Sequence, residues 1–526
     1  MKCFKMYLPL LLIAMTFSCR PDDDTPGGGR NYLDLDNLSH GQIVLGEKLE
    51  DPYAVSAMQL SFATLYPTKS GVERLEATDY YVRFLPADDT QFTRLKLMGV
   101  QMMDHPLDYE ILKEGDYYHD PSIQENDITW QYAVVDKYFQ FPQDIRYEIL
   151  EQCYIPENAA TKASDVDWEA VEREAYRITG NAQMLLPRTK SGDGFPSGAI
   201  KIVDDKYNGG EPIGVSGVMV SVNCFVKFAS AYTDMSGNYV IPRSFSSEMR
   251  YRLVFQNEIG FGIGVDLLLV PASVSTLGTG PADGVDVMIT QESERKLFSR
   301  SVVNNAVYDY FKRCSREGVK VTPPPQNLRL WLFQGIANSS APMLHQGSIV
   351  DDGVLSEYLG SYKDVVKHFL PDITMGLKYL QDYSSIYNYT QHELAHASHY
   401  VRVGNTYWNR YIKHVLKSFV TSGMKVYGVG TEPDAGYCEI GEMWAYYLQN
   451  VLHRERYGYY QSELGTSYWF HPQILLYMDD RGVDDSKIFT ALMPTVTDRD
   501  LLQKALTELY PESRYIIDNA FNRYLN

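Results

Sequence analysis

Residues 389–400 read "YTQHELAHASHY" and gather His392, Glu393, His396 and His399 into eight positions of a chain with only eleven histidines. On an α-helix, His392 and His396 project from nearly the same face, one turn apart. Two imidazoles so placed can share one tetrahedral zinc ion, and Glu393 can reach a water at its open position from the side. The pattern is H-E-x-x-H. Leu394, Ala395 and Ala397 make the surrounding helix apolar, and a glutamate there is costly unless a metal or a water needs it. The residues therefore predict a zinc site with Glu393 as general base.

A third protein ligand has to come from elsewhere. Metzincins place it at H-E-x-x-H-x-x-G-x-x-H, but position 399 is His where Gly is required and 402 is Arg. His399 lies near the same helix face and reads as a second-shell partner or a packing residue. Downstream, "TEPDAGYCEIGEMWAYYLQN" (431–450) has the apolar spacing of a helix, with Thr431 and Asp434 as a capping box. Glu439 and Glu442 lie three apart on it, and either can reach a metal.

At these residues the chain resembles the gluzincin metallopeptidases, whose third ligand is a Glu on a following helix, often in an E-x-x-A-like setting. "GEMWAYY" is similar to that segment, with Ala445 at the corresponding place. The resemblance, confined to about residues 370–450, implies Glu442 as ligand and Glu439 as the alternative. It implies zinc as cofactor and a peptide or protein as substrate. The family's later acidic residue, which often braces a histidine, is replaced by Tyr446. A tetrahedral oxyanion needs a donor besides the metal. Tyr437, Tyr446 and His471 are the candidates, and the sequence does not choose among them. The family also suggests a role for "PDITMGLKYL" (371–380), as an edge strand before the active-site helix that pairs with extended substrate.

These groups must be positioned by a chain too long for one ordinary core. Residues 31–190 predict a small α+β domain. In it "ATDYYVRFLP", "VQMMDHPLDYEIL" and "ITWQYAVV" read as strands and "ADDTQFTRLKLMG" as a helix ended by Gly99. "NAATKASDVDWEAVEREAYRITGN" (158–181) reads as a helical connector. Residues 198–290 alternate in the β manner, and "GVMVSV…TDMSGNYVIP…YRLVF" resembles the carboxypeptidase regulatory-like domain, a transthyretin-like β-sandwich. From 291 to 526 the periodicity is mainly helical, including "KDVVKHFL" (363–370), as in a zincin-like catalytic domain. The fold class expected is a multidomain α+β protein.

The first nineteen residues carry Lys2 and Lys5 before an apolar run from Tyr7 to Phe17 and then Ser18-Cys19. This reads as a bacterial lipoprotein signal, with Cys19 acylated and 20–30 ("RPDDDTPGGGR") as a tether. The acidic run resembles the surface-export signals of Bacteroidetes lipoproteins. The expected location is the outer membrane, exposed at the surface and attached only through the N-terminal lipid. A formal charge of −19 argues against nucleic acid as a partner. Cys153, Cys224, Cys314 and Cys438 are scattered and read as free thiols. Two other functions share these residues: a non-catalytic binding lipoprotein on a zincin scaffold, and a zinc hydrolase of non-peptide bonds.

Overall fold

The computed structural model describes residues 42–524 apart from 71–73, 114, 116, 125–126, 161–164, 188–194, 265–273, 336–339, 343–371, 422–426 and 462. The leader, Cys19, the tether and "KDVVKHFL" lie outside the described residues.

Helices and several separate sheets make a mixed α+β architecture. In the N-terminal region β1 (Val44–Lys48) pairs with β3 (Tyr109–Lys113), and β2 (Asp79–Leu85) lies between β4 (Gln131–Asp136) and β5 (Arg146–Cys153). The alternation of "DYYVRFL" puts Val82 and Phe84 under Leu95 of α1 (Asp89–Leu97), which Asp88 caps through the Gln91 N–H. Gly99, at φ 81°, ends that turn as expected. Two readings shrink. The stretch 100–112 enters a strand only from Tyr109, where β3 begins, because the segment before it carries Pro106 and bends; the connector helix α2 spans Trp168–Ile178, capped by Asp167.

The middle region supplies β6 (Ser197–Ile202), β8 (Val218–Cys224), β9 (Lys227–Tyr232), β10 (Asn238–Val240) and β11 (Met249–Asn257), with β7 (Ile213–Gly214) and β14 (Val287–Ile289) beside β6 and β13 (Val274–Gly280) beside β11. The turn between β9 and β10 is held by the Asp234 carboxylate, which accepts from the Ser236 and Asn238 N–H groups. The expected boundary at residue 290 does not divide the sheets. β12 (Gly262–Gly264) pairs antiparallel with β11 and parallel with β15 (Arg329–Phe333), so one sheet runs from the middle region into the C-terminal one. A single apolar core follows it across.

The edge-strand expectation is corrected. Strand β17 (Ile373–Gly376) is buried at all four positions and bonded on both sides, parallel to β15 and antiparallel to β16 (Ser340–Pro342). Burial of both its faces, Thr374 included, is that of a covered strand, and the second neighbour makes it an interior one. The outer position belongs to β16, where Pro342 costs no interior ladder bond.

α3 (Arg295–Cys314) and α4 (Tyr383–Val403) pack against the strands, α5 (Asn405–Thr421) and α6 (Ala435–Tyr457) pack on α4, and among the described residues four shorter helices follow to Asn522. α4 and α6 are buried on nearly every face, as befits central helices.

The N-terminal region is fastened to the middle one by a buried cation. Lys227 Nζ on β9 lies 2.8 Å from Glu157 and 3.0 Å from Glu172, and Glu172 also accepts from the Tyr53 hydroxyl at 2.6 Å. Lys227→Met leaves the nearly inaccessible Glu172 carboxylate without its cation, so about 3–5 kcal/mol of stability should be lost. The denaturant midpoint of the variant reads this; an unchanged midpoint would show that the triad contributes nothing net.

Candidate metal centre

Asp382 starts α4 by accepting from the Ser385 N–H, and Gly404, at φ 80°, ends it. α6 starts differently from the expected capping box. Asp434 sits at φ 65° and makes no side-chain cap; Glu432 instead accepts from the Val429 and Thr431 N–H groups. The tight loop "GVGTEPD" needs acceptors for its own backbone, and Glu432 supplies them before the helix begins.

The two helices run antiparallel. Asn388 meets His453 at 2.8 Å, His392 meets Gln449 at 3.1 Å and His396 meets Glu442 at 3.5 Å. Residues four apart on α4 thus face residues four and seven apart on α6, one and two turns along one face. His392 Nε2 and His396 Nε2 lie 3.2 Å apart, and each is 3.5 Å from a different oxygen of Glu442. All three side chains are buried. This triad can hold a metal ion, and among the described residues it is the group of three donors that converges so. Glu393 is wholly buried beside it.

The electrostatics match. Burial disfavours the His392 imidazolium, but Glu442, the charge of Glu393 and Gln449 outweigh it and raise the pKa. Burial would raise Glu442, yet His396 and His392 hold it down to about 2. A carboxylate kept ionised against two imidazole nitrogens is what a cation requires.

Sequence reading missed two residues around the triad. Tyr411 on α5 donates its hydroxyl to Glu442 Oε1 at 2.6 Å. Its only sequence signal is the helical spacing of Tyr407, Trp408 and Tyr411, which reads as ordinary packing. Gln449 stands seven residues after Glu442, two turns along the same face, with its amide oxygen on His392 Nδ1. That contact assigns the proton to Nδ1 and leaves the Nε2 lone pair for a metal. Gln449, and no acid, is thus the residue on the far nitrogen of His392. Gln449→Ala should weaken metal affinity about 10–100-fold, read by competition with a chelating indicator. An unchanged affinity would remove Gln449 from the site.

The remaining candidates separate. Tyr446 packs edge-on against His392 with ring centroids 4.5 Å apart, and Gly465, at φ 72°, lets the following loop close over its ring. Tyr437 packs on Tyr407 at 4.7 Å, and His471 is half-buried beside Tyr524 at 5.9 Å; neither touches a ligand. Glu439 is turned from the triad to Arg499, which binds it at 2.9 Å through Nε and at 3.1 Å through the backbone N–H. His399 braces nothing. Its ring lies against Tyr407 and Trp408 with no hydrogen bond at either nitrogen, and burial, then His396, pushes its pKa down to about 3. Cys153, Cys224, Cys314 and Cys438 are free, and Cys438 is buried outside the triad. Comparisons with protein-family models, with curated proteins and with solved structures give no match for this chain.

Proposed function

We propose that this protein is a gluzincin-like zinc peptidase, exported and tethered to the outer membrane through Cys19. The observation that carries the reading is the convergence of His392, His396 and Glu442 at one buried point with Glu393 next to it. Tetrahedral zinc with bonds of about 2.0–2.1 Å separates its ligand atoms by roughly 3.4 Å; the two Nε2 atoms are 3.2 Å apart, each is 3.5 Å from one Glu442 oxygen, and one donor atom from each residue falls within 4.8 Å of the others. Two imidazoles and one carboxylate are also the donor set of hydrolytic zinc sites, which keep a fourth position open.

Zinc so held supplies Lewis acidity and makes water more acidic. The chain does the rest. Glu393 takes a proton from the attacking water and delivers it to the leaving amine. Gln449 fixes the tautomer of His392, and Tyr411 orients Glu442. Tyr446 is the preferred donor to the developing oxyanion, since of the three candidates it alone adjoins a ligand. Strand β16, the outer strand of the sheet, takes over from β17 the role of pairing with extended substrate. Among the described residues no helix is long and apolar enough to cross a membrane.

The test is metal analysis of the purified chain, then digestion of a peptide library before chelation, after it and after zinc is restored. Cleavage that follows the zinc supports the proposal. A zinc-loaded chain that binds peptides and cleaves none is a binding lipoprotein, and one that cleaves only non-peptide esters or amides is the other hydrolase.

A further inference from the structure

A separate cavity of about 330 Å³ opens where α3, α4 and the end of α6 meet the loop after β7. It is at the small end of the roughly 300–1,000 Å³ that ligand pockets span. Most of its charges are already committed to each other. Arg456 is 2.9 Å from Asp204 and 3.4 Å from Asp309, between the rings of Tyr207 and Tyr387 at 4.1 and 4.4 Å. Arg313 is 2.6 Å from Glu455 and 2.8 Å from Asp485.

Two exposed cations at the rim are held more loosely. Lys312 lies over the ring of Tyr308, and Arg316 is 3.9 Å from Glu455, which Arg313 already binds at 2.6 Å. The four cations and four carboxylates here balance in number, so these two, lacking a close ion pair, are the positive charges an entering anion can meet.

The floor carries the second observation. Gln391 is 2% exposed; its amide nitrogen donates to the Ala306 carbonyl at 3.0 Å, while Oε1 has no hydrogen-bond partner. Its polar neighbours are occupied. The Tyr387 hydroxyl donates to Asp309, and the Asn305 amide spans the Ser216 N–H and the Gly214 carbonyl. A buried acceptor left alone is unfavourable, and a ligand hydroxyl would relieve it.

We propose that this cavity binds a hydroxylated carboxylate the size of one sugar acid. Its carboxylate sits at Lys312 and Arg316, and a hydroxyl donates to Gln391 Oε1. The acid can be free or the terminal residue of a glycan, and the site acts independently of the metal centre.

Calorimetry on the full-length chain tests this, with glucuronate, an oligosaccharide ending in glucuronate, glucose and acetate as probes, in chelator and with zinc. Glucuronate should bind saturably in both conditions, and glucose and acetate at least about tenfold more weakly, since each lacks one half of the recognition. The surface double variant Lys312→Ala/Arg316→Ala should lose about tenfold or more in affinity for glucuronate. Gln391→Leu should narrow the gap between glucuronate and acetate. Equal affinity for glucuronate and the oligosaccharide assigns the site to the free acid, and tighter binding of the oligosaccharide assigns it to a glycan end. No saturation below about 10 mM, full affinity in the double variant, acetate binding as well as glucuronate, or binding only with zinc present would each overturn the proposal. None of these results depends on peptide hydrolysis, so the proposed peptidase activity can fail without it.

Discussion

Glu393→Gln should keep the metal and the fold and lose hydrolysis by about 10²–10⁴-fold, the usual worth of a positioned general base. The side chain is wholly buried and is not one of the three converging donors. Gln matches it in shape, so no cavity opens, and replacing a buried carboxylate by an amide lowers the cost of burial. What disappears is the capacity to take a proton from water. The charge of Glu393 also helps raise the His392 pKa, so metal has to be compared at matched occupancy. The measurement is peptide hydrolysis by wild type and variant at equal zinc content. A zinc-replete and nearly inactive variant beside an active wild type supports the mechanism. If both cleave equally, the activity belongs to another site or a contaminant. If neither cleaves and both bind peptide, the chain is a binding protein on a peptidase scaffold.

The donors of the site were legible because helical periodicity is stiff. A four-residue step on one helix fixes the spacing of His392 and His396 before any tertiary structure exists. A glutamate on a second helix narrowed the third donor to two positions, and the fold chose between them by rotation: Glu442 faces α4, and Glu439, three residues earlier, faces Arg499. The supporting residues were not legible. Tyr411 reaches Glu442 from a third helix, and the angle at which α5 crosses α6 is set by packing that no local spacing encodes. Gln449 was within reach of sequence reasoning, two turns on from Glu442, but a neutral amide carries no chemical signature of its own.

The errors in the fold have a similar origin. β17 reads the same in sequence whether it has one neighbour or two; its interior place is decided by β16, contributed from some thirty residues upstream. The boundary at 290 fell where strand periodicity gives way to helical periodicity, which is correct for local structure. It missed that β12 and β15, on either side of it, join into one sheet. Parallel pairing across a long connection leaves no local trace.

Glu442→Gln should reduce zinc affinity by more than about a hundredfold, since loss of an outer-shell partner alone costs about 10–100-fold and this residue places both its oxygens against the histidines. A neutral amide removes the anion and is a poor zinc ligand. It also leaves the Tyr411 hydroxyl a weaker acceptor, so the orientation of the side chain loosens as well. The internal control is Glu439→Gln, one turn earlier on the same helix and equal in charge removed. It breaks the contact with Arg499 and should lower the denaturation midpoint while leaving zinc bound. The comparison therefore separates direct ligation from loss of negative charge near the site. Metal content after gel filtration, with an indicator titration for affinity, gives the answer. If both variants keep their zinc, or both lose it equally, Glu442 is not a ligand and the metal centre has been assigned to the wrong donors.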